Sequence, residues 1–184
     1  MFQQFRSRRD FLKTTAFGTA ALAIPGSLAI ADDCTATAHS GMKLSLAAYS
    51  FNRYLPNSWR GEPKPGASMT LMDFIDYCGE QDLEGTELTG YYFPSEVTPE
   101  YLRSVKSQTK KLGLEISGTA IGNDFCVPAG EKLDFELNRA KLWIDHAAAI
   151  GAPVIRVFAG KVPKGDTEQA AIERCADTMI KALN

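Results

Sequence analysis

The chain has 184 residues, 45% of them hydrophobic and 23% charged, with 15 Gly and 9 Pro. That composition belongs to a globular chain and excludes a collagen-like, coiled-coil or wholly disordered protein. The formal net charge is −2, whereas a nucleic-acid binder that works by neutralising phosphates is normally basic, so no nucleic-acid partner is expected.

The N-terminus reads as an address. Ser7-Arg8-Arg9-Asp10-Phe11-Leu12-Lys13 precedes an apolar stretch from Ala16 to Ala31, interrupted by Gly18, Pro25 and Gly26. A charged start, a short apolar middle and Ala29-Ile30-Ala31 as a small-residue cleavage site make a secretory signal over residues 1–31. Arg8 and Arg9 followed by Phe11 make it a twin-arginine signal. The other reading, a basic amphipathic first helix, suits the apolar stretch less well, and at about 20 residues for a membrane span the stretch is too short and broken for an anchor. The expectation is export to the periplasm or beyond, with the membrane met only through the signal. Of the 20 basic and 22 acidic residues, four and one lie in the signal, so 153 mature residues would carry 16 and 21, net −5. The twin-arginine route carries folded proteins, which favours a metal- or cofactor-dependent enzyme. The spacing of Cys34, Cys78, Cys126 and Cys175 matches no zinc knuckle or redox pair.

After a polar leader over residues 32–42, one alternation repeats. Lys43 to Tyr49 reads as a short apolar strand, followed by a Pro/Gly-rich loop from Pro56 to Gly66. Leu71, Phe74, Ile75 and Cys78 then recur at helical spacing. Leu83 to Leu88 is a second strand. Thr98-Pro99 is a helix start, with Thr as cap and Pro in the first turn, and Leu102, Val105 and Leu112 continue one face to the stop at Gly113. Leu114 to Ile121 is a third strand. Leu137, Ala140, Ile144, Ala147 and Ala148 mark a third helix that ends at Gly151. Val154 to Phe158 is a fourth strand, and Ile172, Cys175, Ala176, Met179 and Leu183 a fourth helix.

Strands beginning near 43, 83, 114 and 153 are one βα unit apart, and repeated βα units imply a parallel sheet covered by helices. A dinucleotide-binding sheet would carry a glycine-rich turn after its first strand. Here that strand runs into Tyr49-Ser50-Phe51-Asn52-Arg53, so a closed (β/α)8 TIM barrel is preferred. Such a barrel takes about 250 residues and eight strands. Residues 43–184 supply about four units, which predicts an N-terminal half.

Reacting groups of a parallel barrel lie at the C-terminal ends of its strands. There the sequence places Tyr49, Phe51, Glu87, Tyr91, Asn123, Asp124 and Arg156, the candidate substrate-binding residues. Aromatic faces that cover the C–H side of a sugar, with amides and charges for its hydroxyls, suit a polyhydroxylated ligand. The alternative for each aromatic is loop packing. For Glu87 and Arg156 it is an ion pair at the barrel mouth. His39 lies in the leader, and His146, mid-helix beside Asp145, is a surface or edge residue rather than a ligand.

Ala48-Tyr49-Ser50-Phe51, Gly85-Thr86-Glu87-Leu88 with Gly90-Tyr91-Tyr92-Phe93-Pro94, Leu112-Gly113-Leu114, and Gly151 to Gly160 together resemble the sugar phosphate isomerase/epimerase family with the xylose isomerase-like TIM barrel. The resemblance implies a divalent metal (Mn, Mg, Co or Zn) held by Glu, Asp, His and Glu from later strands, two of which also move a proton beside a sugar carbonyl. On that pattern neither metal ligands nor catalytic acids fall within residues 43–184, and the chain is expected to be a C-terminally truncated fragment, inactive alone. The alternatives are a carbon–oxygen lyase or dehydratase acting on an oxidised sugar, and a non-catalytic half-barrel that binds a sugar or assembles with a second copy. The apurinic endonuclease branch is disfavoured, since no early-strand histidines are present. Without a phosphate cradle, a free or oxidised sugar is the expected substrate.

Overall fold

A computed structural model describes residues 42–59 and 65–183. The expected signal with Arg8, Arg9, Phe11, Ala29 and Ala31, most of the expected leader with Cys34 and His39, and part of the Pro/Gly-rich loop lie outside the described residues. Residues from Leu44 onward form one compact unit.

Four strands, β1 (Ser45–Ala47), β2 (Gly85–Thr89), β3 (Glu115–Ala120) and β4 (Ile155–Arg156), make a sheet in the order β1-β2-β3-β4. Every pairing is parallel. Helices α1 (Leu71–Glu80), α2 (Pro99–Lys111), α3 (Glu131–Ile150) and α4 (Glu168–Ala182) fill the crossovers. Each helix packs on the next, α1 on α2, α2 on α3, α3 on α4, so all four form one layer on one face of the sheet. A doubly wound sheet would divide its helices between two faces. Strand order that follows chain order, with helices on one side only, is the arrangement of a barrel wall.

Local chemistry explains the helix limits. Thr70 Oγ1 accepts from the Asp73 amide while the Asp73 carboxylate accepts from the Thr70 amide, a reciprocal cap that starts α1. Thr98 caps α2 through the Tyr101 amide, with Pro99 in the first turn. Helices α2 and α3 stop where Gly113 (φ 69°) and Gly151 (φ 87°) adopt the left-handed conformation that glycine takes without a Cβ penalty. The core between layers joins Leu71, Phe74, Ile75 and Cys78 of α1, Leu88 of β2, Leu102 and Val105 of α2, Ile116 of β3 and Trp143 of α3. Cys78 and Cys175 are buried as small hydrophobes.

Three elements differ from the sequence reading. The first strand ends at Ala47, because residues 48–51 wind into a 3-10 turn. The fourth is two residues long instead of Val154 to Phe158: it pairs only with β3, and Val154 and Phe158 are exposed. The buried face of α3 is Leu133, Glu136, Ala140, Trp143, Ala147 and Ile150, rotated from the Leu137–Ile144–Ala148 stripe, because a glutamate and a tryptophan occupy inward positions. Leu44 on the β1 side, and Val154, Phe158, Ile172, Met179, Ile180 and Leu183 on the β4–α4 side, present apolar surface to solvent. No described helix is long and apolar enough to cross a membrane.

Candidate functional site at the strand ends

Because the strands are parallel, their C-terminal ends share one edge of the sheet, and the segments leaving them make a rim. From β2, Glu87 points to the face away from the helices, since its neighbours Thr86 and Leu88 point into the helix layer: Thr86 meets the Cys78 thiol, and Leu88 is in the core. Glu87 Oε1 accepts a hydrogen bond from Thr89 Oγ1 at 2.8 Å. The carboxylate is half-buried, held by one donor, with acceptor capacity to spare.

A row of tyrosines adjoins it through Tyr92. Tyr49, 56% exposed, meets the Tyr91 ring edge-on at 6.5 Å, and Tyr91 meets Tyr92 at 6.1 Å. Tyr92 is buried. Its phenol is pushed up to about 12, first by burial and then by the nearby Tyr49, Tyr91 and Glu87 charges. Tyr92 therefore stays a neutral hydroxyl at physiological pH. The sequence reading passed over Tyr92 as a site residue, although it stands in the same Gly-Tyr-Tyr-Phe run as Tyr91.

The other candidates divide. Phe51 is not on the rim: its ring packs at 5.3 Å from Phe74 and 5.0 Å from Tyr77 of α1. Asn123 is buried, with its amide engaged in both directions by the Phe158 peptide. Asp124 accepts from the Cys126 amide at 3.1 Å and lies against Gly160, where an added Cβ would come within 1.9 Å of Oδ1. Asn123 and Asp124 thus tie the end of β3 to the segment after β4. Arg156, exposed at the end of β4, lays its guanidinium 4.5 Å over the Phe158 ring. Glu87 bonds Thr89 and Arg156 stacks on Phe158, rather than pairing with each other. Trp59, from the Pro/Gly-rich loop, also reaches the rim: its indole N–H donates to the Gly122 carbonyl at 3.1 Å, and its ring lies 5.5 Å from Tyr91. Periodicity has no meaning in such a loop, so no sequence signal singled it out.

The resemblance to the xylose isomerase-like barrel implies a divalent metal. Glu87 and Asp124 are the rim carboxylates, and among the described residues no three His, Cys, Asp or Glu side chains gather to hold a metal ion. His146 lies mid-α3, half-buried, edge-on to Trp143 at 5.3 Å, with burial holding its imidazole below the usual range. The donor set present does not fit a metal centre. What the rim can do is bind: one fixed acceptor, several phenols and a guanidinium.

Comparison with known proteins agrees with this architecture. Residues 73–184 match the family described as xylose isomerase-like TIM barrel. Among solved structures, a xylose isomerase-like TIM barrel/4-hydroxyphenylpyruvate dioxygenase fusion protein is 19% identical with a TM-score of 0.52, over 77% of this chain and 20% of that one. The probable 3-DHS dehydratase AsbF from Bacillus anthracis is 19% identical with a TM-score of 0.51, over 77% of this chain and 47% of that one. A xylose isomerase domain protein from Planctomyces limnophilus is 17% identical with a TM-score of 0.46, over 60% and 44%. This chain spans less than half the length of each of these structures. No protein of curated function matches it. With a match over more than half its length and a parallel sheet walled by a single layer of helices, the chain belongs to the xylose isomerase-like TIM barrel family.

Proposed function

We propose that this chain forms the sugar-contacting part of an isomerase or epimerase that moves a proton beside a sugar carbonyl. The observation that carries the reading is the Glu87 carboxylate, held by Thr89 close to Tyr92, which adjoins the Tyr91 and Tyr49 rings at the mouth of the sheet. A fixed carboxylate accepts from sugar hydroxyls as a charge-assisted partner. The exposed Tyr49 ring offers a flat face for C–H groups, and Arg156 offers donors. Glu87 acts here as a binding group. The carboxylates that move the proton, and the divalent metal that would lower the cost of an enediolate, are assigned to side chains other than those described. Exposed apolar surface beside β1 and β4 supports this division, since a barrel wall needs neighbours on both edges. The twin-arginine pattern supports a periplasmic or extracellular setting, where free or oxidised sugars are the expected substrates.

A dehydratase acting on an oxidised sugar is the second reading, favoured by the likeness to the probable 3-DHS dehydratase AsbF. It would use the same mouth.

Isothermal titration of the chain with D-xylulose, and separately with Mn²⁺, tests the proposal. Saturable heat with the keto-sugar and none with Mn²⁺ is expected. Tight Mn²⁺ binding would overturn the assignment of the metal ligands, and absence of any keto-sugar heat would overturn the binding role of the rim.

A further inference from the structure

The segment leaving β3 and the helix that follows β4 each carry a cysteine, distant in sequence and side by side in the fold. Arg174 Nε donates to the Cys126 carbonyl at 2.8 Å, which sets α4 against that segment. The next residue, Cys175, faces inward with Ala171 and Thr178. Cys126 and Cys175 are buried in the same core cluster. Their side chains meet: the Cys126 thiol donates to the Ala159 carbonyl at 3.3 Å and is hydrogen-bonded by the Cys175 thiol. Cys78 lies elsewhere, its thiol donating to Thr86 Oγ1 at 3.6 Å. Among the described cysteines only one pairing is therefore open.

As free thiols the two residues are small hydrophobes. Thiols already in contact are also the arrangement from which a disulfide closes with least backbone movement. The place is one where a covalent tie has an effect. β4 pairs through two residues with β3, so the β4–α4 unit hangs on a short ladder, the Asn123 amide and side-chain packing. A bond from residue 126 to residue 175 would close a loop of roughly fifty residues around that unit and restrict the unfolded chain. We propose that Cys126 and Cys175 form a structural disulfide that fastens α4 to the end of β3. This holds independently of the sugar reading.

The oxidant is an organic disulfide, such as oxidised glutathione. One cysteine thiolate attacks it, forming a mixed disulfide and releasing one glutathione thiol. The second cysteine thiolate attacks the mixed disulfide at the protein's sulfur and releases the other. Two S–H bonds are lost from the chain, one S–S bond forms, and the electron pair and both protons end on two molecules of glutathione. Burial, and then the neighbouring Cys126 and Asp124, push the Cys175 thiol up, so little of it is thiolate in the closed structure. Exchange accordingly proceeds during folding or local opening.

Tryptic mapping tests the pairing, because Cys34, Cys78, Cys126 and Cys175 fall in four different tryptic peptides. The full chain is refolded from urea in reduced and oxidised glutathione, its remaining thiols are alkylated, and it is digested without reduction. The expected product joins residues 112–132 to residues 175–181, from a monomer two hydrogens lighter than the reduced chain. The oxidised chain is expected to melt about 5–10 °C above the reduced one. Cys126→Ala is expected to abolish both the joined peptide and the melting gap, and Cys78→Ala to keep both. Should Cys126→Ala fail to fold, the wild-type map still decides the pairing. The proposal is overturned if both peptides are recovered alkylated, if either is joined to the Cys34 or Cys78 peptide, if the link forms only between two chains, or if the oxidised chain melts no higher than the reduced one.

Discussion

The Asn123 side-chain amide closes both hydrogen bonds of the Phe158 residue: Nδ2 donates to its carbonyl at 2.6 Å and Oδ1 accepts from its amide at 2.8 Å. Two strands that pair through only two residues of β4 are thereby held together beyond their ends. A buried side chain engaged at both its oxygen and its nitrogen is held by the backbone, which makes Asn123 part of the scaffold under the rim.

Asn123→Ala removes both bonds and leaves the Phe158 peptide groups short of partners. The expected loss is about 2–4 kcal/mol, read from urea denaturation, with keto-sugar affinity per folded molecule unchanged. A stability loss below about 1 kcal/mol together with a collapse in affinity would return Asn123 to the binding site.

Gly160→Ala tests the second tie. Residue 160 has φ 123°, and an added Cβ would come 1.9 Å from Asp124 Oδ1. Strain and clash together are expected to cost about 1–3 kcal/mol. Asp124→Ala in the same chain should relieve the steric part, so the two effects are expected to be non-additive. Strictly additive melting shifts would show that the two residues do not meet.

The reciprocal cap of α1 carries a pH signature. Hydrogen bonds from the Thr70 amide and then the Thr70 hydroxyl hold the Asp73 carboxyl below its usual range. A depressed folded value means that the stabilisation is present above the unfolded value and lost as pH falls through the folded one. Thr70→Ala is expected to cost about 1 kcal/mol at neutral pH and to flatten the acid limb of stability. An unchanged acid limb in the variant would contradict the cap.

Stability should also fall in alkali. Burial pushes both Tyr92 and Tyr101 up to about 12. The unfolded chain loses these protons near pH 10 while the folded chain keeps them, so stability declines from about pH 10 towards 12. Tyr101→Phe is expected to make that decline shallower in urea midpoints measured across the range. An identical slope in wild type and variant would show that Tyr101 ionises freely.

Much of the fold was legible because its signals are local. Thr98-Pro99 opens α2 and Gly113 and Gly151 close α2 and α3, each by backbone requirements that neighbouring residues announce. What was not legible depends on partners distant in sequence. An apolar run such as Val154 to Phe158 does not reveal that its strand has one neighbour, so its pairing was read as three residues too long. The face assigned to α3 followed the aliphatic residues Leu137, Ile144 and Ala148, whereas Glu136 and Trp143 turn inward. At the rim, residue type pointed to Glu87, Tyr49 and Tyr91, which the fold brings together. Phe51 and Asn123 have the same chemistry but are turned into the core and the backbone, a distinction that only tertiary packing makes.

Sugar bound at the Glu87 end of the sheet would meet the tyrosine rings, and aromatic NMR of the full chain during a D-xylulose titration tests this most directly. Saturable shifts are expected at the Tyr49, Tyr91 and Tyr92 rings, abolished in Glu87→Gln while the fold is retained. Shifts that persist undiminished in Glu87→Gln, or that leave the three tyrosines unmoved, would contradict it.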